Sequence, residues 1–136
     1  MPSDSFLRQD ARLTVTRVLP SSTSAVVSAS IDLGSAANLN AMVGTVADLV
    51  LEIPATTTAT GQTLAYQIQD SADNSSFSAI ASLPSVTVTG VANATAASTR
   101  ILRFGPTVRR YVRLQVTPSA TAGDQSAFTA TLQIKT

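Results

Sequence analysis

The chain has 136 residues, a formal net charge of +1 and only 12% charged side chains, which argues against a protein that grips nucleic acid or membrane through bulk charge. It has neither Cys nor His, so thiol chemistry, disulfides, soft metal sites and the commonest general base are all excluded. Ala, Ser and Thr supply 57 of the residues and Trp is absent. The core is therefore thin per residue, and contact with copies of itself or with a partner is expected to add stability by mass action.

Residues 1–12 read as a polar N-terminal arm and residues 13–136 as one β-sandwich domain. The opening Met1-Pro2-Ser3-Asp4-Ser5 lacks the basic and apolar regions of a signal peptide, and no apolar stretch reaches transmembrane length. A cytoplasmic site of synthesis is expected. Residues 11–18 alternate, with Leu13 and Val15 opposite Thr14 and Thr16. Residues 26–33 read as one strand with Val27, Ala29, Ile31 and Leu33 on a common face. This period of two marks strands with one buried side.

Residues 39–53 admit two readings. Leu39, Met42, Val43, Val46, Leu49, Val50 and Ile53 stand at helical spacing, with Asn38 as a cap. Gly44 would cost a helix interior about 1 kcal/mol. A loop followed by a strand from Val46 to Ile53 suits the neighbouring strands better, and Pro54 ends either element.

Alternation returns at 63–69, where Leu64, Tyr66 and Ile68 oppose Thr63, Gln67 and Gln69. It recurs at 108–117, with Val108, Val112, Leu114 and Val116 against Arg109, Tyr111, Arg113 and Gln115. Residues 127–135 set Phe128, Ala130, Leu132 and Ile134 against Thr129, Thr131, Gln133 and Lys135. Weaker strands fall at 76–82, 86–91 and 99–104. Turn signals separate all of these. The segments 54–62 and 90–99 are small and polar, as suits contact or solvent exposure. About eight short strands imply an all-β, antiparallel two-sheet sandwich, of jelly-roll type.

Catalytic patterns are missing. The sequence has no nucleophile elbow, phosphate loop or dinucleotide fingerprint. Asp70, Asp73 and Asn74 resemble part of a calcium loop but lack its bidentate acid, and a turn held by its own side chains explains them. Asp48 and Glu52 on a strand would lie about 13 Å apart, beyond the spacing used in glycoside hydrolysis. No enzymatic activity and no cofactor are expected.

Arginine placement is the most informative feature. Five of the eight arginines, Arg100, Arg103, Arg109, Arg110 and Arg113, fall within fourteen positions, and Lys135 is the only lysine. A protein interface is one reading, since Arg forms bidentate carboxylate contacts and is enriched at interfaces. A solvated face that blunts a sheet edge is another. Nucleic-acid binding is a third, weakened by the scarcity of aromatics for stacking. Arg110 falls in the apolar file, so it either lies beyond the strand end or pairs with a carboxylate. Arg8 and Arg12, in an arm expected to order on binding, join the candidate protein-interface set.

The sequence also carries a resemblance. A-S-I-D-L-G near position 30, Q-I-Q-D-S-A-D-N-S-S-F at 67–77, R-R-Y-V-R-L-Q-V at 109–116 and T-A-G-D-Q-S-A-F-T-A-T-L near the end together resemble the jelly-roll capsid cement, or decoration, proteins of tailed bacteriophages, of the short-tailed Bordetella phage type. The likeness runs over roughly residues 24–134, and residues 1–20 depart from it. It implies a structural virion protein on the outer capsid surface, assembled in the host cytoplasm. Such a protein cements adjacent copies of the major capsid protein, with no catalytic residues. A homo-oligomer, dimer or trimer, is expected, with neither nucleic acid nor membrane as partner. The alternative is a tail or baseplate β-sandwich module that binds a receptor or carbohydrate.

Overall fold

A computed structural model describes residues 13–33, 48–92, 94–103, 108–119 and 122–135. The elements in chain order are β1 (Thr14–Val18), β2 (Val26–Val27), β3 (Ile31–Asp32), β4 (Asp48–Ile53), β5 (Thr63–Ser71), β6 (Ser78–Ala79), β7 (Val86–Thr89), β8 (Ser98–Leu102), β9 (Tyr111–Pro118) and β10 (Thr129–Lys135). The all-β expectation holds. The helical alternative for residues 39–53 falls mostly outside the described residues, but its C-terminal part is strand β4, paired with both β10 and β8.

The strands form two antiparallel sheets. One has the order β1-β10-β4-β8; the other has β9 and β5 at its centre. Along β9 run β2 and then β3, and along β5 run β6 and β7. Each of these short pairs occupies one strand position, so ten strands fill eight places, four per sheet. Counted by strand position among the described residues, with β2 and β3 sharing one place and β6 and β7 another, only the step from β5 to the β6/β7 place stays within a sheet. The other steps between places change sheet, which is the jelly-roll order.

Alternation explains the core. In β5, Leu64, Tyr66 and Ile68 are buried, and the register sets Tyr66 opposite Val116 and Ile68 opposite Leu114 of β9. From the facing sheet come Leu49, Leu51 and Ile53 of β4 and Ala130, Leu132 and Ile134 of β10. Each large aliphatic side chain fully buried in this way contributes roughly 1.5–3 kcal/mol. Val108 is also buried, but it precedes β9.

One sequence expectation is corrected. Residues 26–33 are not one strand. Val27 pairs with Gln115 and Ile31 with Val112, so three residues, 28–30, face two, 113–114. This is a β-bulge. Ser28 makes it: its backbone N–H donates to Leu114 O at 2.8 Å, and its Oγ accepts from Leu114 N at 3.0 Å. The hydroxyl replaces a backbone carbonyl in the ladder, and the phase shifts by one. Val26, Ile31 and Leu33 face the core, whereas Ala29 is exposed.

Candidate functional site

The arginines clustered in sequence are divided by the fold. Arg100 lies in β8 and Arg103 just after it, both exposed at the four-stranded sheet, whereas Arg109, Arg110 and Arg113 belong to the other sheet. Arg8 and Arg12 lie outside the described residues. The three at β9 are engaged within the chain. Arg109 holds Asp70 through Nε (2.9 Å), Nη2 (2.7 Å) and its backbone N–H (2.9 Å), and Nη2 also reaches the Asp70 carbonyl and Ser78 Oγ.

Arg110 directly precedes β9 and pairs with Asp32 through two bonds of 2.8 and 3.0 Å. Its guanidinium also lies 5.1 Å from the Tyr111 ring centroid. Both alternatives for this residue therefore hold: it lies beyond the strand end and it has a carboxylate partner. The hydrogen bond and charge of Asp32 raise the Arg110 pKa. Arg113 stacks 4.0 Å above Phe77 and donates to Gln69 Oε1 at 2.8 Å. Burial lowers its pKa, yet a guanidinium stays charged.

The contacts of Arg110 and Arg113 belong to the outer face of the six-stranded sheet. Gln69 passes from Arg113 to Gln115, donating to its Oε1 at 3.1 Å, and Gln67 donates to the Leu83 carbonyl at 3.3 Å. The result is a polar platform whose side chains are held by one another and by the backbone, which lowers the entropy cost of binding. The outer face of the four-stranded sheet has a different chemistry. Thr99 and Thr131 flank Glu52 in the register, with Thr129 beside them and Thr16 one strand further out on the same face, and Glu52 accepts from Gln133 Nε2 at 3.3 Å. An open groove of about 450 Å³ there is lined by Glu52, Pro54, Ser98, Thr99, Thr129 and Thr131.

The turn after β5 shows what its acids do. Asp73 Oδ1 accepts from the backbone N–H of Ser75 and Ser76, both at 2.9 Å, and from Ser71 Oγ at 2.8 Å. These bonds pull its pKa down to about 2. Asn74 adopts φ 60°, a left-handed conformation Asn tolerates, and accepts from Ser30 Oγ at 2.6 Å. The carboxylate is a turn brace. Asp70 is buried and serves Arg109 instead.

The small polar loops are partly interior. Thr56, Thr58, Thr95 and Gln125 are buried. Thr56 Oγ1 lies 2.8 Å from Thr95 Oγ1 and 3.0 Å from Thr58 Oγ1, and Gln125 Oε1 accepts from Thr57 N at 3.0 Å. Hydroxyls thus stitch loops at one end of the sandwich. Sequence reasoning missed this cluster, because threonines in an aperiodic stretch give no burial signal. It also missed the Arg109–Asp70 pair, although Asp70 continues the core-facing file Leu64, Tyr66, Ile68 at the same spacing.

Strand order and these internally braced faces define the class: a jelly-roll β-sandwich whose ionic groups are used largely to hold its own surfaces. The chain belongs to the Bbp16 family, whose model matches residues 20–129. The match fits a Bordetella phage type of protein. The match takes in β2 to β9 and stops where β10 begins. No curated protein matches the chain significantly.

Proposed function

We propose that this chain is a non-enzymatic structural virion protein that binds the outer surface of an assembled phage capsid and cements adjacent major capsid subunits. The observation that carries the reading is the Bbp16 family match over eight of the ten strands, joined to the resemblance of its R-R-Y-V-R-L-Q-V strand and D-S-A-D-N turn to phage cement proteins. The surface supports it too. The polar platform on one sheet, braced by its own hydrogen bonds, and the exposed and half-buried threonines around Glu52 on the other offer contact areas, as adhesion requires.

The mechanism is adhesive. Binding only to the assembled shell stabilises that state by mass action, without any bond being made or broken. Copies of the chain bridging two subunits, and touching one another, add their contacts at high effective concentration.

The test uses capsids assembled from the phage's major capsid protein without this chain. Added chain is expected to co-sediment with them, to appear as ordered density outside the shell, and to raise the temperature at which they rupture. Density on the tail alone, or no attachment to capsids, would overturn the reading.

A further inference from the structure

Among the described residues, strand β8 ends the four-stranded sheet, with β4 as its hydrogen-bonded neighbour. In an antiparallel edge strand, alternate residues direct their N–H and C=O groups away from the sheet. Solvent reaches Ser98, Thr99, Arg100 and Ile101. Ile101 is 63% exposed, the largest value for a large hydrophobic side chain among the described residues. Arg109, Arg110 and Arg113 are each tied to a carboxylate, an amide or a ring, whereas Arg100 faces solvent. In the register, Arg100 lies opposite Leu51 and Ile101 opposite Val50, so the two side chains leave the strand on opposite faces.

We infer that the β8 edge is a strand-addition site for an extended segment of a partner protein carrying a carboxylate and an aliphatic side chain at consecutive positions. Main-chain hydrogen bonds supply the hold. The carboxylate pairs with Arg100 on one face, and the aliphatic group covers Ile101 on the other. Charge favours this occupant over a second copy of the chain. Edge-to-edge self-pairing about the centre of β8 sets Arg100 of one chain beside Arg100 of the other, and like charges across a ladder repel. This inference rests on the proposed capsid attachment and names how the contact is made.

The experiment measures attachment to capsids assembled without the chain, together with backbone hydrogen exchange of the bound chain. Arg100→Glu is compared with Arg17→Glu, a matched reversal on β1 at the opposite edge of the same sheet. Thermal unfolding of both variants checks that the fold is kept. The expected result is slowed exchange at alternate amides of residues 98–102 on binding. Attachment of the Arg100→Glu variant falls by about tenfold or more, and Arg17→Glu stays within about twofold. Suppose the wild-type chain attaches but exchange at 98–102 is unchanged, or both variants lose affinity equally. The edge site is then overturned while the capsid reading stands. A wild-type chain that does not attach overturns both.

Discussion

Asp70 and Arg109 are locked together by both side chain and backbone. The carboxylate is buried at the end of the core-facing file of β5, where Arg109 satisfies it with Nε, Nη2 and its own backbone N–H. The same guanidinium reaches the Asp70 carbonyl and Ser78. One residue therefore fixes the entry to β9 against the exit from β5.

Removing one side of such a pair costs more than the pair itself contributes, because a buried charge is left behind. The Arg109 side chain is 40% exposed and that of Asp70 only 7%, so water can partly replace the lost guanidinium. Arg109→Ala is expected to destabilise the fold by about 2–3 kcal/mol, below the full cost of breaking a buried pair. Arg109→Lys should fall between, since an ammonium keeps the charge but loses the fork. Urea unfolding of both variants, of Asp70→Asn and of the double variant Arg109→Ala/Asp70→Asn closes a cycle that measures the coupling. Wild-type stability in every one of them would show that the pair does not hold the fold.

Asp73 makes a pH prediction with a definite sign. Its pKa is lowered from 3.8 to about 2 by hydrogen bonds from Ser76, Ser71 and Ser75. A depressed carboxyl contributes stability above its unfolded value, and that contribution is lost as pH falls through the folded value. The turn should thus stay ordered at pH 4 and loosen between about pH 4 and 2. The amide resonances of Ser75 and Ser76 should titrate with a midpoint near 2, and Asp73→Asn should abolish that titration. A midpoint at the ordinary carboxylate value would show that the brace is absent in solution.

The fold was readable wherever side chains alternate. Leu64, Tyr66 and Ile68 of β5 and Val112, Leu114 and Val116 of β9 stand two apart, and both files are buried. Residues 26–33 misled for a physical reason: Ser28 substitutes its hydroxyl for a backbone acceptor, and a one-residue slip moves every side chain to the other face. The interface candidates were less legible. Residues adjacent in sequence between Arg100 and Arg113 divide between two sheets, because the chain changes sheet between β8 and β9. The same spacing rule that marked Ile68 as core also marks Asp70, which read alone as a turn acid.

Gly90 is constrained by space. Its N–H donates to the Gln62 carbonyl at 2.8 Å, and its carbonyl accepts from Gly61 N at 3.0 Å. A side chain there would run into the backbone carbonyl oxygens of Thr58 and Ala59. Gly61 differs: φ is 80°, but the space around it is open. Gly61→Ala is expected to cost about 1–2 kcal/mol through backbone conformation alone. Gly90→Ala should cost about 3 kcal/mol, because backbone atoms of the 54–62 loop must move. Denaturant unfolding of both variants ranks them, and the reverse order would show that the loop yields easily.

Tyr66 gives the prediction that runs against intuition. Its ring is buried in the core, its hydroxyl has no hydrogen-bond partner among the described residues, and burial pushes its pKa up from 10.0 to about 12. A buried hydroxyl left without a partner costs about 1–3 kcal/mol. Tyr66→Phe keeps the ring and removes that cost, so it should leave stability unchanged or raise it by about 1 kcal/mol. The sign of the alkaline effect follows as well. An acid whose folded pKa is raised loses its stabilising difference as pH climbs through the window from 10.0 to about 12. Wild-type chain should therefore unfold more readily across that window than Tyr66→Phe. Thermal unfolding at pH 7 and pH 11 tests both claims. A variant less stable than wild type at pH 7 would mean that the hydroxyl is satisfied in solution, with a buried water as the natural partner.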